Sequence, residues 1–181
     1  MRLPTLLRRR GAPTQIGGQV RLDRRTKNLT KRLRPGEIAV IHHTDLDRVS
    51  AEALIEAGAA AVVNAVPSVS GRYPNLGPGI LMDAGIPLID DVGDQIFTTV
   101  HEGDQIIIDG GRVLSSHNGT LLAEGTLYTT EVLEEQLEYV REGLSEQIEA
   151  FAGNTVTYLR EEKELLLEGV GIPEVTTEIY T

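Results

Sequence analysis

The chain has no cysteine and no tryptophan, and only 4% of its 181 residues are aromatic. Without cysteine there is no disulfide scaffold, no thiolate nucleophile and no thiolate metal site. Without tryptophan, the core must be built from Ile, Val, Leu and Ala. Long apolar runs are missing as well. The longest, residues 57–66, is interrupted by Asn64 and falls far short of the ~20 residues that cross a bilayer. Met1 to Arg10 is basic but has no apolar h-region, so no secretory signal is expected and the expected compartment is the cytoplasm.

What is present suffices for a real core: 40% of residues are hydrophobic and 24% charged, which suits one domain with an appendage. The net charge of −10 hides a sharp division. Residues 1–35 hold 11 Lys and Arg against one acid, Asp23, for +10; the remaining 6 basic and 26 acidic residues give −20. Such an end either meets an anion or an acidic surface, the chain's own included, or is a solvated basic arm. Nucleic acid is not an expected partner, because the rest of the chain is acidic and aromatics are scarce.

Residues 1–18 show no periodicity and read as a mobile basic arm. Residues 19–128 read as an α/β domain. Gln19–Leu22 is a short strand, Thr26–Leu33 a brief helix, and Pro35-Gly36 a turn. Ile38–Ile41 and Ala59–Asn64 are continuous apolar runs that suit strands covered on both faces. Between them Asp45 or Asp47 caps a helix ending near Gly58. A Gly, Pro and Ser loop over 65–79 leads to a helix at Ile80–Ala84 and a strand at Pro87–Ile89. Three short strands follow at 105–108, 112–114 and 120–123, with hairpin signals at Gly110-Gly111 and Asn118-Gly119. The expected fold is a parallel core with an antiparallel β lobe.

From Leu133 through Leu137, Val140, Leu144, Ile148, Phe151, Thr155 and Tyr158, residues that are apolar apart from Thr155 recur every three or four positions. This is one stripe on a long helix, residues 129–168. At 1.5 Å per residue its span 131–168 is roughly 57 Å long, more than so small a domain can cover. Gly153-Asn154 leaves open a break into a helical hairpin, while the lack of proline and of clustered turn residues favours continuity. The span 131–168 carries 11 acids and 3 bases, so the other faces are solvated. The stripe calls for a partner: a homodimer through residues 131–168, or a further domain beyond the linker-like residues 169–181.

Ligands of parallel α/β sheets bind at the carboxyl ends of the strands. His43, Asp45, Asp47 and Arg48 follow the first buried strand; Ser68, Ser70, Gly71, Arg72, Tyr73 and Asn75 follow the second. Hydroxyls, glycine and one guanidinium form an anion receptor, with Arg72 as the planar bidentate donor. Arg24, Arg25 and Lys27 add positive charge to the same edge. The expected ligand is an anion, phosphate-bearing or nucleotide-like; the competing expectation is a rigid, proline-braced loop. Neighbouring strand residues face opposite ways, so His42 and His43 are not expected to share a metal. No catalytic residue, metal or other cofactor is assigned: Walker, dinucleotide-binding and nucleophile-elbow signatures are absent.

Two resemblances add to this. The order of elements over residues 36–114, with Pro35–Val40, Gly85–Ile89 and Glu102–Gly110, resembles the swivelling β/β/α phosphohistidine domain. Its phosphoacceptor loop has no counterpart, because residues 65–79 contain no histidine. More of the chain resembles the SteA-type cytokinetic ring proteins of actinobacteria, through Asp23–Lys27, Leu33–Ile41, Asp45–Arg48 and the long string Ser70-Gly71-Arg72-Tyr73-Pro74-Asn75-Leu76-Gly77-Pro78. His42 departs from that pattern, which has Asp before the histidine matching His43. The resemblance implies a septation protein at the membrane division site. It also implies a following thiamin pyrophosphokinase-like domain and a membrane partner, SteB. This chain would be its non-catalytic N-terminal module; the alternative is part of a thiamin pyrophosphokinase-like or other phosphoryl-transfer enzyme.

Overall fold

Ile38–Ile41 (β2) and Ala61–Asn64 (β3) are buried at every residue, as continuous apolar runs require when both faces of a sheet are covered. They lie in a computed structural model that describes residues 15–72 and 75–169. Flanking them are Ile16–Leu22 (β1) and Leu88–Asp90 (β4). β1, β2, β3 and β4 pair in parallel, with Val20 opposite Ile38, Ile41 opposite Asn64, and Val63 opposite Ile89.

The antiparallel lobe is Gln105–Asp109 (β5), Arg112–Ser115 (β6) and Leu121–Glu124 (β7). It joins the parallel core through β1. Residues 16–19 of that strand pair antiparallel with β5, while residues 20–22 pair parallel with β2. A two-residue strand, Thr126–Leu127 (β8), closes the far edge against β4. The result is one mixed sheet of eight strands, ordered β7-β6-β5-β1-β2-β3-β4-β8.

β1 starts inside the segment read as an arm. Gly18 explains why: an added Cβ would lie 3.0 Å from the Gly36 carbonyl oxygen and from Ile38. Gly18 thus makes a close approach that has no apolar signature. Residues 1–14 lie outside the described residues.

The connections are helical: Thr26–Thr30 (α1), Arg48–Glu56 (α2), Gly77–Asp83 (α3) and Ile96–Thr99 (α4). α1 is shorter than expected, and its chain closes on Leu29 through the Arg32 and Leu33 N–H groups. α3 starts earlier than expected because Pro78 sits in its first turn, where no amide hydrogen is needed. On one face of the sheet Val20, Ile38, Val40, Val63 and Ile89 pack with Ile96, Val100, Ile106, Ile108 and Val113. The alternate strand residues Ala39, Ile41 and Val62 are also fully buried, as are Leu29, Leu54 and Leu81 of α1, α2 and α3. At roughly 1.5–3 kcal/mol for each large side chain, these two layers supply most of the fold's stabilisation.

Thr130–Gly169 (α5) is one continuous helix without a break at Gly153-Asn154. The chain divides into two compact units between Val140 and Arg141, so the boundary falls inside α5. In the first unit, Val140 is buried and Gly79 approaches Leu133. In the second, Ile148, Phe151, Val156, Tyr158 and Leu159 are exposed.

Candidate functional site: the carboxyl edge of the parallel strands

β3 and β4 end on the polar residues Asn64 and Asp90, which are joined through Ser68 to each other and directly to His43, just after β2. The Asn64 side chain clamps the His43 backbone, accepting from its N–H (2.9 Å) and donating to its carbonyl (2.8 Å). Asn64 Nδ2 also donates to Ser68 Oγ (2.7 Å), and the Ser68 hydroxyl donates to Asp90 Oδ1 (2.6 Å). Ser68 N–H donates to the other Asp90 oxygen (2.8 Å). Asn64 and Ser68 are fully buried and Asp90 is 5% exposed. Burial, opposed by the two Ser68 hydrogen bonds and reinforced by neighbouring Asp91, pushes the Asp90 carboxyl up to about 6. Burial, with the Asp90 charge, also raises the Tyr128 hydroxyl. A buried hydroxyl already committed to a carboxylate cannot reach an external electrophile, so this network holds the edge rather than reacting at it.

A second cluster centres on Asp45, which has a left-handed backbone (φ 56°), a conformation Asp tolerates better than most residues. Its carboxylate accepts from Ser70 N–H (2.7 Å), the Ser70 hydroxyl (2.8 Å) and Asn75 Nδ2 (2.8 Å). Partial burial pushes this carboxyl up, but the Ser70 and Asn75 bonds and the charge of Arg72 outweigh it and hold the group low. Asp45 therefore ties Ser70 to Asn75, accepting from both. Arg72 is exposed. Gly71 turns the chain at φ 81°, where an added Cβ would meet the Tyr139 ring at 2.8 Å. Tyr73 lies outside the described residues.

The third cluster is a cleft of about 370 Å³ lined by Arg24, Arg25, Thr26, Lys27, His42, His43, Thr44 and Ser50. Here the β1–α1 turn faces the β2–α2 turn. His43 is fixed by Thr26 Oγ1 on Nδ1 (2.8 Å), and its Nε2 lies 3.4 Å from Asp47. His42 turns instead to Asp94 (3.4 Å). Asp47 caps α2 through Ser50 N–H (2.7 Å), and Arg48 pairs with Glu52 one turn along that helix.

The edge thus brings together Arg24, Arg25, Lys27 and His43 in one cleft. It gathers Asp45, Ser70, Arg72 and Asn75 in another cluster, and it withdraws Ser68 into the interior. The roles of Asn64, Asp90 and Asp94 at this edge were not read from the sequence. A signal existed for the first two: each is the polar residue closing an apolar strand, Val62-Val63-Asn64 and Leu88-Ile89-Asp90. Part of the basic end meets acids of its own chain, with Arg21 on Glu37 and Glu102, Arg32 on Glu102, and Arg24 on Asp94. Among the described residues no group of three or more His, Asp or Glu side chains is placed to hold a metal ion. Nor is any helix there long and apolar enough to cross a membrane.

No family model and no curated protein matches the chain. Among solved structures it is similar to the 3-isopropylmalate dehydratase (leuD) of Methanocaldococcus jannaschii DSM2661. The two share 11% identity at a TM-score of 0.46, over 76% of this chain and 99% of that one.

Proposed function

We propose that the chain is a non-catalytic N-terminal module of a SteA-type septation protein acting at the membrane division site. In this reading a swivelling β/β/α-like domain holds an anionic, phosphate-bearing ligand at its carboxyl edge, and α5 pairs two copies. A thiamin pyrophosphokinase-like domain and the membrane partner SteB are its further proposed partners.

The observation that carries the partner role is the apolar row on the second unit's helix. Ile148 is 66% exposed, Phe151 73%, Tyr158 60% and Leu159 58%. These residues recur at helical spacing and so share a face. Left in water, each forgoes roughly 1.5–3 kcal/mol. A second copy suits the charge pattern. Acids dominate both ends of the helix, yet residues 150–159 carry no charge, and Ala150, Ala152 and Gly153 flank Phe151 with small side chains. Two acidic helices repel along their ends and can approach closely at this stretch.

Because the chain has no cysteine, one introduced cysteine reports proximity cleanly. Phe151→Cys is expected to form an interchain disulfide under mild oxidation, while Glu149→Cys, on the opposite side of the helix, is not. Equal cross-linking of both variants, or of neither, would remove pairing through this face.

A further inference from the structure

We propose that the cleft between the β1–α1 and β2–α2 turns is a diphosphate-binding site, with Arg25 and Lys27 as its principal cations. This deepens the anion-binding part of the proposed function and is independent of helix pairing.

Charge accounting at the cleft leads to this ligand. Arg24 is committed, 3.1 Å from Asp94 and stacked over the Phe97 ring at 4.5 Å. The carboxylates around the rim are committed as well. Asp23 accepts from the Arg25 backbone N–H and lies beside Arg32. Asp47 caps α2 and faces His43, and Asp94 lies between Arg24 and His42. Arg25 and Lys27 are exposed, and neither side chain has an ion-pair or hydrogen-bond partner among the described residues. Two full positive charges therefore stand uncompensated on one wall, two residues apart in the chain.

A carboxylate would neutralise one of them and leave the other. A diphosphate carries enough charge and acceptor oxygens for both, for the planar fork of Arg25 and the point charge of Lys27. The opposite wall presents Thr44 and His42, and His43 is held from behind by Asn64 and Thr26, so the site is braced before a ligand arrives. At about 370 Å³ the cleft is at the small end of small-molecule sites. That suits a diphosphate and the start of its ester group. A nucleic-acid backbone needs a longer cationic track, and residues beyond 35 carry −20.

Isothermal titration of the full chain with inorganic pyrophosphate tests this, against orthophosphate and against Arg25→Gln/Lys27→Gln and Arg112→Gln variants. Glutamine removes the charge while keeping a polar side chain, and thermal melts confirm that each variant folds. Pyrophosphate is expected to bind the unaltered chain about tenfold more tightly than orthophosphate. The Arg25→Gln/Lys27→Gln variant is expected to lose roughly 100-fold in affinity, and Arg112→Gln, at an exposed cation of β6 outside the cleft lining, to lose nothing. Absence of pyrophosphate binding to the unaltered chain would overturn the proposal. So would retention of affinity without Arg25 and Lys27, or its loss with Arg112 alone. Cross-linking at position 151 is scored separately, so a silent cleft leaves helix pairing standing, and the reverse also holds.

Discussion

Asp90 occupies the end of β4 with both oxygens turned to Ser68 and almost no contact with solvent. Burial pushes its carboxyl from 3.8 to about 6. The folded chain therefore holds this proton more firmly than the unfolded chain does. Between those two values stability falls as pH rises, and above about 6 the loss is complete. It amounts to something on the order of 2–3 kcal/mol. Asp90→Asn removes the titration and sets an amide hydrogen against a donor, at a cost of about 1–3 kcal/mol. Chemical denaturation at pH 4 and pH 7 should show Asp90→Asn clearly less stable than the unaltered chain at pH 4. At pH 7 that gap should narrow or reverse; a gap independent of pH would contradict the buried titration. Legibility at this scale was uneven. Asp before an apolar helical pattern announces a cap, which narrowed the choice to Asp45 or Asp47; the structure takes Asp47. The roles of Ser68 and Asp45 could not be read, because hydroxyls and carboxylates read alike whether they face a ligand or each other.

At the scale of elements, the buried strands were legible because continuous Val, Ile and Ala runs have few other solutions in a soluble sheet. What escaped was made by backbone contact. Residues 16–18 of β1 are strand through the room that Gly18 leaves, and β8 is too short to show a period. α3 begins at Gly77, pressed on the β2–α2 connection, so that an added Cβ would overlap the Leu46 carbonyl oxygen and also meet its side chain. The Gly77 N–H donates to that same carbonyl (3.2 Å). Gly77→Ala cannot be absorbed by a side-chain rotation, and about 2–4 kcal/mol of stability should be lost. Gly143→Ala, at an open helical position, should instead gain a few tenths to about 1 kcal/mol. Thermal melts of the pair check this, and a neutral Gly77→Ala would mean that α3 does not seat there.

For the whole molecule, the chain divides into a unit ending at Val140 and a second unit from Arg141, and part of the basic end meets acids within the first unit, at Glu37, Asp94 and Glu102. Other basic residues line that unit's cleft, and the acidic helix carries no charge over residues 150–159. The stripe itself was legible, since apolar residues at helical spacing announce a face. Its partner was not, because a sequence pattern fixes which side is apolar and never what covers it. Light scattering coupled to gel filtration, on the unaltered full chain over a hundredfold dilution, tests the central claim most directly. The account predicts a molar mass of twice 19.7 kDa at high concentration, falling toward the single-chain value on dilution. A single-chain mass at every concentration would contradict it.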